Sequence, residues 1–173
     1  MSSAKAIIAI DSQRDAVAAL KQVNALFRMR TVRNGNDTVV SVDLSGTNFR
    51  DADCEHLSEM PHLESLRLMS CKRITNAGLV HLKNLTRLRT LYLTATDVTS
   101  DGLVNLKGLE NLNELNLSST RVSDAGLKHL RGLQKLCYLA LYETQVTDAG
   151  LEHLAAMKGL ERLWLGRTSV TDE

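Results

Sequence analysis

From Leu85 to Asp172 the chain repeats one pattern every 24 residues: Leu93, Leu117, Leu141 and Leu165 form one column, and Leu91, Leu115, Leu139 and Leu163 a second. Thr96, Thr120, Thr144 and Thr168 form a third, and Val98, Val122, Val146 and Val170 a fourth. A unit of this length cannot bury its apolar face alone and does so by stacking on its neighbours, so the period predicts a solenoid. Side chains alternate along a strand. The two leucines of each Leu-x-Leu therefore face the core, and the residues between them share the opposite wall.

Each copy reads Leu-x-x-Leu-x-Leu-x-x-Thr and then a Val-Thr-Asp-Ala-Gly-Leu turn, as in Leu112 to Thr120 followed by Val122 to Leu127. This pattern closely resembles the leucine-rich repeat family over roughly three quarters of the chain. The resemblance implies an α/β fold: a leucine-rich repeat solenoid shaped as a short horseshoe, with a parallel sheet on the concave face and helices on the convex face. An earlier copy, Leu63 to Leu85, is one residue longer between Leu68 and Ile74 and carries Cys71 where later copies carry Thr. It is similar to the cysteine-containing subtype common in F-box proteins of ubiquitin ligases and in some bacterial repeat proteins. No F-box precedes it in this sequence, so the ligase role is not carried over.

Ahead of the repeats, Ser12 to Asp15 reads as a capping start, and Ala16, Leu20, Val23 and Phe27 recur at helical spacing, predicting an amphipathic helix to about residue 26. Phe27 to Val32 alternates, Asn34-Gly35 signals a turn, and Thr38 to Leu44 reads as the first repeat strand, predicting a hairpin. A solenoid's terminal unit exposes core unless capped. The expected division is a capping helix and first hairpin strand over 1–37 and a repeat domain of about six units over 38–173, the last incomplete.

Twenty-one basic against twenty acidic residues leave a net charge of +1, which gives no global field toward nucleic acid or an anionic membrane. Three cysteines, an odd number, argue against a disulfide framework and favour a reducing, cytoplasmic compartment. The apolar run Ala6 to Ile10 is too short for a membrane span.

No constellation for catalysis emerges. Cys54 and His56 are close in sequence, but Cys54 falls at a core position; no phosphate loop, metal-ligand spacing or cofactor motif is present. The Thr column and Cys71 read as turn supports, and Ser123-Asp124 and Thr147-Asp148 as helix N-caps rather than calcium ligands. His56, His81, His129 and His153 share a column that reads as a solvated helix face; His62 lies outside it with no evident mate.

The outward strand positions hold all three tyrosines and the single tryptophan. Tyr138, Tyr142 and Trp164 surround Ala140, suggesting a pit with aromatic walls, and Tyr92, Asn116 and Arg162 stand at its rim. Tyr and Trp are the usual anchors of binding hot spots. The sequence thus predicts a non-catalytic module that binds a protein or peptide on the concave face, through Tyr92, Asn116, Tyr138, Ala140, Tyr142, Arg162 and Trp164. Six strands span only about 25 Å, less than a standard interface of roughly 800 Å² per partner requires, so Asp97, Arg121, Glu143 and Arg167 in the flanking loops are expected to join. Asp43 and Arg67 are expected to pair. Two alternatives remain: a recognition arm of a larger multidomain protein whose catalytic part lies elsewhere, and self-association through an uncapped C-terminal end.

Overall fold

The computed structural model describes residues 13–31 and 37–171. Its sheet has seven strands in sequence order: β1 (Leu26–Thr31), β2 (Asp37–Asp43), β3 (Ser65–Arg67), β4 (Thr90–Tyr92), β5 (Glu114–Asn116), β6 (Tyr138–Ala140) and β7 (Arg162–Trp164). β1 pairs antiparallel with β2, and β2 to β7 are all parallel. Leu66, Leu91, Leu115, Leu139 and Leu163 are mutual partners across β3 to β7, so the sequence columns are the sheet register. The leucines Leu66 to Leu141 of both strand columns are inaccessible to solvent and join one core cluster that runs from Ala16 to Met157. The structure is the α/β leucine-rich repeat solenoid.

The chain returns to each strand through short helical segments on the opposite side, such as Asn76–Leu79, Asp124–Leu127 and Asp148–Leu154, several of them 3-10 turns. Strands stack about 4.8 Å apart, whereas helices need 8 to 10 Å, so this layer occupies the longer arc and the sheet curls inward.

Between strand and return segment the chain turns the same way in every repeat. Gly46, Ser70, Ala95, Ser119, Glu143 and Arg167 all have φ between +53° and +72°, just ahead of the Thr/Cys column. That column does support the turn. Thr96, Thr120, Thr144 and Thr168 donate to the carbonyls of Leu93, Leu117, Leu141 and Leu165. Cys71 Sγ instead reaches Leu44 O of the preceding repeat at 3.0 Å.

The expected N-caps at Ser123 and Thr147 are not made by their side chains. The acids work between repeats instead. Asp124 accepts the Thr147 N–H and hydroxyl, both at 2.8 Å, and Asp148 accepts the same two groups of Thr171. Asp51 holds the Thr75 N–H and hydroxyl and the Gly78 N–H; Asn76 with Thr99 and Ser100 with Ser123 fill the steps between. A bond inside one helical turn would satisfy one donor, whereas this clamp satisfies a backbone and a hydroxyl donor of the next unit and ties the two together.

The clamp explains the glycine three residues beyond the clamped threonine. A Cβ on Gly78 would lie 2.6 Å from Asp51 Oδ1, and one on Gly150 would strike Asp124 Oδ1. Asp124→Ala and Gly150→Ala are each expected to cost about 1–3 kcal/mol. In the Asp124→Ala background, Gly150→Ala should cost far less, because its remaining obstacle is the flexible Leu127 Cδ1 at 3.1 Å. Urea unfolding of the four proteins measures the coupling; strict additivity would separate the glycine from the clamp.

The N-terminal helix covers residues 13–21 rather than reaching residue 26. Asn24 turns left-handed at φ +60°, Ala25 N–H bonds Leu20 O, and Leu26 enters β1 opposite Asp43. Pairing with β2 satisfies the backbone donors and acceptors that another helical turn would have used, and Asn tolerates the left-handed stop. Ala16 and Leu20 are buried in the core cluster, and Thr38 Oγ1 bonds Gln13 Oε1 at 3.0 Å. The Asn34-Gly35 turn lies outside the described residues.

Candidate functional site

The outward residues of the sheet form lateral rows. Tyr92, Asn116, Ala140 and Trp164 are successive partners across β4 to β7, and Glu114, Tyr138 and Arg162 across β5 to β7. Tyr142 follows β6 on the same side, its ring against Gly166, where a Cβ would lie 3.0 Å from Tyr142 Cδ2.

Part of this surface is internally satisfied. Arg67 sits 3.9 Å from Asp43 and lies over the Tyr92 ring, 5.6 Å from its centroid; the Tyr92 hydroxyl donates to Glu114 Oε2 at 2.6 Å. Burial, and then the Glu114 carboxylate, push the Tyr92 phenol up to about 12. Asp43, Arg67, Tyr92 and Glu114 thus form a polar chain across four strands, of which the sequence disclosed only the first pair. Asn116 Oδ1 accepts the Ser118 N–H at 2.9 Å, which fixes the orientation of its side-chain amide. Ala140 is only 3% exposed. It lies low in its row, between Asn116 and Trp164.

The accessible part is an aromatic and arginine ridge. Trp164 is 59% exposed and Tyr142 37%. Arg162 lies over the Tyr138 ring at 5.4 Å and Arg167 over Tyr142 at 5.5 Å. A guanidinium over an aromatic face contributes about 0.5–1 kcal/mol at an exposed site and limits the freedom of both groups. In the loops, Arg121 pairs with Asp97 at 3.7 Å and Arg167 with Glu143 at 3.8 Å, each joining adjacent repeats. Exposed pairs of this kind are worth about 0–1 kcal/mol. Arg167, which the sequence already placed in the flanking loops, covers Tyr142; Gly166, which seats that ring, has as its one signal a glycine in an otherwise side-chain-bearing column.

The family model for the Leucine Rich repeat matches residues 59–83 and 108–130. Among solved structures, internalin C2 from Listeria monocytogenes aligns with a TM-score of 0.63 at 26% identity, covering 75% of this chain and 53% of that one. The chain is a leucine-rich repeat protein. It spans about half the length of that internalin. The ectodomain of the receptor kinase SOBIR1 from Arabidopsis thaliana aligns with a TM-score of 0.62 at 14% identity over 92% of this chain and 96% of that one. The Arabidopsis ectodomain of GASSHO1/SCHENGEN3, crystallised in complex with CASPARIAN STRIP INTEGRITY FACTOR 2, gives 0.55 at 18% identity over 82% and 17%. At the identities of the two plant ectodomains the likeness is one of fold. No curated protein matches the sequence significantly.

Elsewhere on this leucine-rich repeat protein the reactive side chains are accounted for structurally. Cys54 is 1% exposed with its Sγ 3.8 Å from Arg50 O, and burial followed by the Asp51 and Asp53 charges pushes its thiol up to about 12. Burial also raises the Cys71 thiol. His62 is not isolated: Arg87 Nη1 lies 2.7 Å from its Nδ1, and Arg131 meets His153 in the same way. His129 is shifted down by burial and by Lys128 and Lys107. Among the described residues no group of three or more His, Cys, Asp or Glu side chains is placed to hold a metal, and no helix is long and apolar enough to cross a membrane.

The raised thiols imply a pH dependence. The native state holds the Cys54 proton to about 12, whereas the unfolded thiol releases it near 9. Stability from this group is therefore complete below pH 9 and declines as pH rises from 9 to 12. Thermal melts of wild type and Cys54→Ala from pH 8 to 11 should show a steeper alkaline loss for wild type; parallel curves would contradict it. In native protein iodoacetamide should modify the half-buried Cys137 well before Cys54 and Cys71.

Proposed function

We propose that the chain is a non-catalytic recognition module that binds a protein or peptide on its concave sheet through Tyr138, Tyr142, Arg162 and Trp164. The observation that carries this reading is the exposure of Trp164, 59%, beside two tyrosines whose rings are each covered by an arginine. Such a surface offers large apolar area at low conformational cost, with charged rims, as hot spots do. Tyr92, Asn116 and Ala140 share the lateral row that ends at Trp164. The fold adds support, since one ectodomain that shares it was crystallised in complex with CASPARIAN STRIP INTEGRITY FACTOR 2. The reading extends to a recognition arm within a longer cytoplasmic protein.

Trp164 is the only tryptophan, so it reports on its own site. Peptides selected from a random display library against the folded protein should shift Trp164 emission to shorter wavelength and shield it from acrylamide. Binders that leave Trp164 fully quenchable would place recognition elsewhere, and concentration-dependent shielding without any peptide would instead indicate self-association.

A further inference from the structure

At the N-terminal end of the solenoid, remote from Trp164, the first two repeats share a cleft with the N-terminal helix. In later repeats the turn after the Thr column makes single parallel bridges, Thr99 with Arg121, Ser123 with Gln145 and Thr147 with Ser169. The second repeat makes the same bridge through Arg73, which pairs with Arg50 of the first. The two arginines line one cleft of about 310 Å³ together with Asn48, Asp53 and His56, and its other wall is Ala19, Leu20, Gln22 and Val23 from the N-terminal helix and the turn after it.

The charges in this cleft do not cancel. Asp53 is engaged by Arg50, through the Arg50 N–H at 3.1 Å and its guanidinium at 3.5 Å. Asp51, on the same segment as Asp53, has both oxygens held by Thr75 and Gly78. Arg73 makes no ion pair among the described residues. With Asp53 engaged by Arg50, the guanidinium of Arg73 is left without a counter-charge in the lining, which favours an incoming anion, and the arginine fork matches a carboxylate or phosphate. The volume falls at the small end of ligand sites, and the wall of Ala19, Leu20 and Val23 suits an apolar body rather than a bare ion.

We propose that this cleft binds a small organic oxyanion, a carboxylate or phosphate ester bearing a compact apolar group, with Arg73 as its anchor. Bound there, the ligand would bridge the N-terminal helix to the first two repeats and stabilise the folded chain in proportion to its occupancy.

Calorimetric titration and thermal melts of the full chain with benzoate, phenyl phosphate, inorganic phosphate and benzyl alcohol test this. Saturable binding is expected for benzoate or phenyl phosphate, and which of them binds separates carboxylate from phosphate recognition. Inorganic phosphate should bind more weakly, and benzyl alcohol should not bind. Arg73→Gln, an exposed substitution checked for an unchanged circular dichroism spectrum, should weaken the organic anion about 10- to 100-fold; Arg121→Gln should leave it unaltered. Absence of saturable binding by either organic anion, equal binding by inorganic phosphate, or full binding by Arg73→Gln would each overturn the proposal.

Discussion

Leu115→Ala is expected to destabilise the protein by about 2–5 kcal/mol, whereas Leu163→Ala, the same substitution in the same column, should cost well under half as much. Leu115 is fully buried, in register between Leu91 and Leu139, so truncation opens a cavity that neighbours on both sides are too tightly stacked to fill. Leu163 is 36% exposed, and the transfer part of its contribution is correspondingly smaller. Because a solenoid's stability is a sum of unit and interface contributions, Leu115→Ala removes packing from two interfaces at once. Urea unfolding of both variants beside wild type decides it. Equal losses would mean that stacking burial does not govern the column.

Tyr138→Ala and Trp164→Ala are each expected to weaken the selected peptide or protein partner by about 30-fold or more, corresponding to at least about 2 kcal/mol for a central aromatic anchor. Both side chains stand on the outward face, so the core leucines beneath are untouched and the unfolding midpoint should move little. Tyr138→Ala also removes the ring beneath Arg162, so part of its effect is lost orientation of that guanidinium. Thr90→Ala, on the same face three strands from Arg162, should change affinity less than threefold. Affinities are best read from a label on the partner, since Trp164→Ala removes the intrinsic reporter. Loss no greater than that of Thr90→Ala would refute the concave assignment while leaving the fold intact.

Much of this architecture is legible in the chain because a repeat states its contacts several times over. The column Leu91, Leu115, Leu139 names the register as well as the buried face, and the outward tyrosines follow by alternation. Asp124 shows where this legibility ends. Read along its own segment it is a helix-capping acid, yet it bonds Thr147 in the next unit, a partner 23 residues away. Phe27 shows another limit: helical and strand spacings both pass through it, and only the pairing of β1 with β2 decides between them.

The sequence by itself determined the repeat, the strands, the direction of every core leucine and the set of residues free to meet a partner, because strict periodicity leaves one way to bury so many leucines. Tertiary structure decided which of those residues are available. Tyr92 is tied to Glu114, the Asn116 amide is oriented by Ser118, and Ala140 is buried, while Trp164 and Arg162 are exposed. It also decided the left-handed turn at Ala95, Ser119 and Glu143 and the approach of Arg73 to Arg50. These depend on what one repeat places against the next, and lateral contacts between side chains of different units are not encoded in the period that aligns them.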